Sequence, residues 1–228
     1  MTIKKLKLLL LGALLGVLSC QPDYGMSYEV VEEIQPTEVV VDSFMQPKPP
    51  EKLDVLIVVD TSCSMNDNFQ QVSVGVELLR GDIEKLTLDY KIGFINSGLV
   101  SPYFAGPYDY TADPIDFLLA PYLLGPDWYE QGFQSMYEFV TMTPEGGEFF
   151  RDDADKLIIF VSDENEQGAI PTNVFHDWLV EKFELVQHDV VAIIQLENGE
   201  CPLNWEYDIG HKYIDLVAYY GKVGIDIC

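Results

Sequence analysis

Asp54-Val55-Leu56-Ile57-Val58-Val59-Asp60-Thr61-Ser62-Cys63-Ser64 decides the fold of this chain. An unbroken aliphatic run between two acids is more than a half-exposed, alternating strand requires. It suits a strand buried on both faces, as in a parallel sheet covered by helices. The stretch then turns polar, with oxygen-bearing side chains at alternate positions: Asp60, Ser62 and Ser64. In extended backbone alternate residues face the same way. A carboxylate and two hydroxyls brought to one point suit a hard cation such as Mg²⁺.

Working outward, Val72, Val76, Leu79 and Ile83 recur at helical spacing and predict a helix over residues 68–86. A strand is expected at 90–96. A helix follows at 132–140, carrying Phe133, Met136, Tyr137 and Val140. Another fully apolar strand is expected at 156–162, then a helix at 174–185, a strand at 190–196, a helix at 210–220 and a short strand running to Cys228. Alternating strand and helix predicts an α/β domain: a doubly wound, mostly parallel sheet flanked by helices. Between residues 97 and 127 the pattern lapses, and Tyr103, Phe104, Tyr108, Tyr110 and Tyr122 sit among Pro102, Pro107, Pro114 and Pro121. That stretch is expected to be a loop packed on its own body by its aromatic rings, with a Tyr-rich binding surface as the other reading.

Doubly wound sheets hold ligands in the crevice beyond the C-terminal ends of their strands. The strand from Leu157 ends in Ser162-Asp163-Glu164. If it lies beside the first strand, Asp163 joins Asp60 at that crevice. A capping role alone would need one of Asp60, Ser62 and Ser64, not all three plus a distant acid. Glu164 and Glu166 are expected as solvated acids near the rim, and Cys63 as a buried, inert thiol.

On these residues the sequence resembles the von Willebrand factor A (VWA) domain. Asp60-x-Ser62-x-Ser64 matches that family's D-x-S-x-S motif, and Asp163 its second carboxylate; the resemblance spans residues 51–228. It implies the VWA/Rossmann-like fold, a metal-ion-dependent adhesion site and protein–protein contact. Ser62 and Ser64 would ligate the ion directly, Asp60 and Asp163 directly or through water. Mg²⁺ is the implied ion, with Mn²⁺ or Ca²⁺ as others. The family's remaining ligand is a Thr, but the comparable stretch here, Gly125-Pro126-Asp127-Trp128-Tyr129-Glu130-Gln131-Gly132, contains none. Asp127 holds the matching place, and Glu130 is the other candidate. With Asp60, Asp127 and Asp163 around a dication the site keeps a net negative charge. Each further charge pair at ~4 Å and an effective dielectric of ~20 is worth about 4 kcal/mol. The partner is therefore expected to be neutral or basic near the ion.

The first residues stand apart from this domain. Lys4, Lys5 and Lys7 precede an apolar run at 8–18, which is short for a bilayer span and reads as a secretory signal over residues 1–19. Its end, Val17-Leu18-Ser19-Cys20, resembles the lipobox of bacterial lipoproteins, a type that also occurs in phage genomes. The resemblance implies cleavage before Cys20 and lipidation of its sulfur, hence an exported protein anchored in the cell envelope by lipid alone. Gln21 would permit the outer membrane in a Gram-negative cell. Residues 20–50, broken by Pro36, Pro47, Pro49 and Pro50, read as a tether with an edge strand at 38–44. In an oxidising compartment Cys201 and Cys228 are expected to form a disulfide. A loop of that length stabilises a fold by roughly 3–4 kcal/mol.

Composition removes several function classes. The 228 residues are 48% hydrophobic, enough for a real core, and carry 13 Lys and Arg against 38 Asp and Glu, a net charge of −25. Without residues 1–19 three Lys are lost and the charge becomes −28. Such a surface repels a phosphate backbone, so nucleic acid is not expected as a partner. The sequence has no G-x-S-x-G elbow, no H-E-x-x-H and no Walker A loop, and His176, His188 and His211 have no Ser or Cys beside them. A non-enzymatic binding protein is expected. The competing reading is a structural or assembly protein, including a phage virion or prophage product, whose ion holds loops together.

Overall fold

The computed structural model describes residues 48–98, 102–197, 199 and 209–227. The expected signal, lipidated Cys20, edge strand at 38–44 and Cys201–Cys228 disulfide lie outside them.

The apolar run forms β1 (Leu53–Val59), buried along its whole length as its composition requires. A single-turn 3₁₀ segment, Cys63–Asp67, leads into α1 (Phe69–Ile83). Then come β2 (Tyr90–Asn96), β3 (Phe104–Tyr108), α2 (Pro114–Leu123), α3 (Gly132–Met142), α4 (Pro144–Phe149), β4 (Asp155–Ser162), α5 (Thr172–Lys182), β5 (His188–Ile194), α6 (His211–Ala218) and β6 (Ile225–Asp226). The sheet runs β3-β2-β1-β4-β5-β6. All neighbours are parallel except β3, which runs antiparallel to β2 at one edge. The expected α/β doubly wound architecture is therefore present.

Strand alternation divides the core between the two faces. Leu56, Val58, Ile158 and Phe160 pack with Phe133 of α3, Phe175 of α5 and Tyr213 of α6. Val55, Ile57, Val59 and Val161 pack with Val76 and Ile83 of α1 and Phe117 of α2. Rings weld the first face: Phe133 and Phe175 stack with centroids 4.4 Å apart, and Phe133 meets Tyr213 edge-on at 5.2 Å.

The stretch at 97–127 departs from expectation. Instead of a loop alone it contributes β3 and α2. Periodicity hid both. β3 is a short edge strand holding Gly106 and Pro107, and α2 carries Pro121 inside an almost uniformly apolar run. Its start is nonetheless written locally: Asp113 caps α2 by accepting from Ile115 N at 3.0 Å, with Pro114 at the first helical position.

β1 lies between β2 and β4, with Val59 in register with both Asn96 and Val161. The order in which strands are added reverses at β1, with β2 and β3 to one side and β4, β5 and β6 to the other, so the crevice for a ligand opens at its C-terminal end. That is where Asp60 begins.

Candidate metal centre

Asp60 is the first residue past β1 and is 1% exposed. Its N–H continues the ladder by donating to Val161 O at 2.8 Å. Its Oδ1 accepts from Ser62 N at 2.8 Å, and its Oδ2 accepts from the Ser162 hydroxyl at 2.7 Å. Ser62 Oγ and Ser64 Oγ are hydrogen-bonded at 2.7 Å, and Ser64 Oγ donates to Asp163 Oδ1 at 3.0 Å. The adjacency of β1 and β4 thus joins the D-x-S-x-S loop to Asp163 by a continuous run of oxygens. Ser62 is buried, Ser64 exposed and Asp163 half-buried, so the run leads from the interior to the surface.

Two further acids come from the loop before α3. Asp127 N donates to Thr61 O at 3.3 Å, and Asp127 Oδ1 accepts from Trp128 N at 2.6 Å. Its other oxygen occupies the space where a side chain at Gly98 would begin: a Cβ there would stand 1.6 Å from Asp127 Oδ2. Glu130 is 3% exposed and accepts from the Gln167 amide, while its carbonyl accepts from Gln167 N at 2.6 Å. The structure therefore brings Asp60, Ser62, Ser64 and Asp163 together, with Asp127 and Glu130 both close enough to act on Asp60 or be acted on by it.

Electrostatics make this end of the sheet unlike the other. At the N-terminal end the buried acid Asp54 is compensated: Arg151 Nε lies 2.7 Å and Lys156 Nζ 3.3 Å from its oxygens. Among the described residues no ion pair involves Asp60, Asp127, Glu130 or Asp163. Burial pushes the Asp60 carboxyl up, against the bonds from Ser62 and Ser162, and Asp127 pushes it further. Burial, then Asp60, raises Asp163 to about 6. Burial, then Asp60 and Glu164, raises Glu130 to about 8. Carboxyls raised first by burial and then by one another are short of positive charge.

The donor chemistry fits a hard divalent cation. Among the described residues no three His, Cys, Asp or Glu side chains gather as a metal cluster. The donors that converge here are instead hydroxyls with carboxylates behind them, an all-oxygen set of the kind Mg²⁺ takes. Among the described residues, Thr61 Oγ1, Asn96 Nδ2 and Ser97 Oγ at this end are buried without a hydrogen-bond partner, as are a few atoms elsewhere, such as His188 Nε2.

Two expectations are corrected. Glu166 is not a solvated rim acid but 2% exposed. Its oxygens accept from Phe133 N at 2.8 Å, Gly168 N at 2.6 Å and the Tyr213 hydroxyl at 3.2 Å, so it ties the loop after β4 to the start of α3 and to α6. Three donors offset part of the cost of burying its charge, and burial still pushes the carboxyl up. Cys63 is not buried. It is a free, exposed thiol, because the 3₁₀ turn that starts there sends Met65 into the core and leaves its first residues outside. Sequence reasoning also passed over Ser162, which holds Asp60. The available signal was its place one residue before Asp163 at a strand end.

No family model and no curated protein matches the sequence. Among solved structures it is similar to proximal thread matrix protein 1 of the mussel byssus with a zinc-occupied MIDAS motif, at 14% identity and a TM-score of 0.51, covering 74% of this chain and 40% of that one. A second crystal form of the mussel protein aligns at 17% identity and a TM-score of 0.49, covering 64% of this chain and 40% of that one. This chain thus spans about two-fifths of the length of the proteins it resembles. At such identity the likeness concerns the fold, and the fold is the VWA-like doubly wound sheet.

Proposed function

We propose that this domain binds a divalent cation, Mg²⁺ ahead of Mn²⁺ or Ca²⁺, and uses the site to contact a protein partner without catalysing a reaction. Asp60, Ser62, Ser64 and Asp163 hold the ion, and the loop carrying Asp127 and Glu130 supplies the remaining acid. The observation that carries the reading is the Ser62–Ser64–Asp163 run of hydrogen bonds across the ends of adjacent strands. Those oxygens would supply ligands to a bound cation. The crowded acids Glu130 and Asp163 are consistent with it, as is zinc in the MIDAS motif of the mussel protein that shares the fold.

The deciding measurement is calorimetry of Mg²⁺ and Mn²⁺ binding to the domain, with Ser64→Ala and Asp163→Asn as variants. Loss of ion binding in both, with the fold retained by circular dichroism, is the expected result. Unchanged binding in both sinks the reading. EDTA then separates an adhesive from a purely structural ion: an adhesive site loses its partner while the fold survives, and a structural site shows a large loss of melting temperature.

The setting belongs to the same proposal: export, cleavage before Cys20 and lipid anchoring in the cell envelope, supported by the Val17-Leu18-Ser19-Cys20 ending. Mass spectrometry of the mature protein tests it, and an unmodified Cys20 would end it.

A further inference from the structure

The end of the sheet that gathers the acids also carries a collar of exposed aromatic side chains. Trp128 and Tyr129 stand between Asp127 and Glu130 and are 76% and 48% exposed. Tyr103 is 60% exposed and directly precedes β3, whose first residue, Phe104, is in register with Ile95 near the C-terminal end of β2. Tyr122 is 53% exposed at the end of α2, its ring 5.6 Å from that of Phe69, which opens α1 just after the D-x-S-x-S loop. Separate elements thus deliver Tyr103, Tyr122, Trp128 and Tyr129 to one end of the sheet, where the core does not need them.

Aromatic faces carry negative potential and attract a cation placed over them, Trp most strongly. Trp and Tyr are also the residues on which binding energy concentrates at interfaces. Beside this collar lie the partly exposed Asp127, Asp163 and Glu164, over the buried Asp60 and Glu130. A bound dication would displace the protons these acids hold and balance two of the five charges, so the rim stays negative with the ion in place. Lys212, a nearby cation of the chain itself, donates to Gly168 O at 3.0 Å. An acidic segment would enter a field of its own sign, and the chain already carries 38 acids against 13 basic residues. A purely apolar segment would desolvate the acids without compensating them. A guanidinium satisfies both parts, because its flat face stacks on an aromatic ring while its edge donates to carboxylates.

We propose that this surface recognises an arginine-bearing segment of a protein partner, the guanidinium stacked on Trp128 and Tyr129 and its charge turned to the acidic rim. The inference rests on reading the site as a partner-binding one, but on no particular ion geometry. It narrows the neutral or basic partner expected from the charge of the site to one side-chain chemistry.

The test uses short synthetic peptides as probes, four-residue runs of Arg, Lys or Glu in a neutral frame, at physiological salt with Mg²⁺. Binding is followed by calorimetry on wild type, Trp128→Ala, Tyr129→Ala and, as a distant exposed aromatic, Tyr110→Ala. The expected result is Arg ahead of Lys, no binding of Glu, and a loss of about 3- to 30-fold in Trp128→Ala, with Tyr110→Ala unchanged. Equal Arg binding in Trp128→Ala and wild type, or preference for the Glu peptide, overturns the proposal. Mg²⁺ affinity measured on the same samples keeps the two ideas apart. Wild type that takes no Mg²⁺ refutes the ion reading whatever the peptides do, and Trp128→Ala is expected to bind Mg²⁺ as wild type does.

Discussion

The hydroxyl of Ser162 donates to Asp60 Oδ2 at 2.7 Å, so the most buried acid of the site is held by the end of the neighbouring strand and not only by its own loop. A hydrogen bond to a charged group is worth about 1.5–3 kcal/mol. Ser162→Ala should therefore weaken Mg²⁺ binding about tenfold or more while leaving the sheet intact. Calorimetry checks this, and an unchanged affinity would detach Asp60 from ion binding.

The raised acids set a pH dependence. Glu130 at about 8 and Asp163 at about 6 lie above the ordinary carboxylate value of roughly 4. The folded, ion-free domain then holds protons that the unfolded chain has released, so its stability falls as pH rises from about 4 through 6 to 8. A cation competes with those protons, so Mg²⁺ affinity should climb over pH 6–8 and binding should release protons. Melting curves with EDTA and with Mg²⁺ across this range check the sign. A stability that rises with pH in EDTA would contradict it.

Gly98 and Asp127 share one volume. An alanine Cβ would stand 1.6 Å from Asp127 Oδ2 and 2.9 Å from Asn96 Nδ2, so Gly98→Ala must drive the carboxylate away. If Asp127 supplies the acid of the site, Gly98→Ala and Asp127→Asn weaken Mg²⁺ binding alike, and the double variant loses no more than either alone. Should both bind Mg²⁺ as wild type does while Glu130→Gln fails, the acid comes from Glu130.

Cys63 is exposed between the two serines of the motif. A maleimide should label it in the native state without denaturant, and the bulky adduct should weaken Mg²⁺ binding by crowding Ser62 and Ser64. Intact-mass spectrometry reads the first outcome and calorimetry the second. Labelling that occurs only in denaturant would show the thiol to be covered.

Glu166 joins three elements through Phe133 N, Gly168 N and Tyr213. In Glu166→Gln an amide N–H must face one of these donors, at a cost of about 1–3 kcal/mol. Tyr213→Phe removes one donor only and should cost less, on the order of 1 kcal/mol. Denaturant unfolding in EDTA measures both, and equal stability of all three proteins would remove Glu166 from its joining role.

The strands, the long helices and the D-x-S-x-S loop were legible in the chain because each is written locally. Val55 to Val59 announces burial on both faces, and Asp60, Ser62 and Ser64 announce a shared point, although Ser64 reaches it from the 3₁₀ turn and not from extended backbone. Even the partnership with Asp163 could be anticipated, since two wholly apolar strands have little choice but to lie in the sheet interior. Tertiary structure decided the rest. β3 and α2 carry no clean period, their prolines and aromatic rings being placed by packing against β2 and α1. Glu166 looks like any exposed acid until the loop after β4 is set against α3. Cys63 reads as a core thiol until the 3₁₀ turn leaves it outside. The burial of Glu130 against Gln167, and the placing of Trp128 and Tyr129 beside the acids, follow only when strand order brings distant loops to one end of the sheet. A chain states its own periodicities, but which loops meet is fixed by the order of the strands, and that order is settled by contacts far apart in sequence.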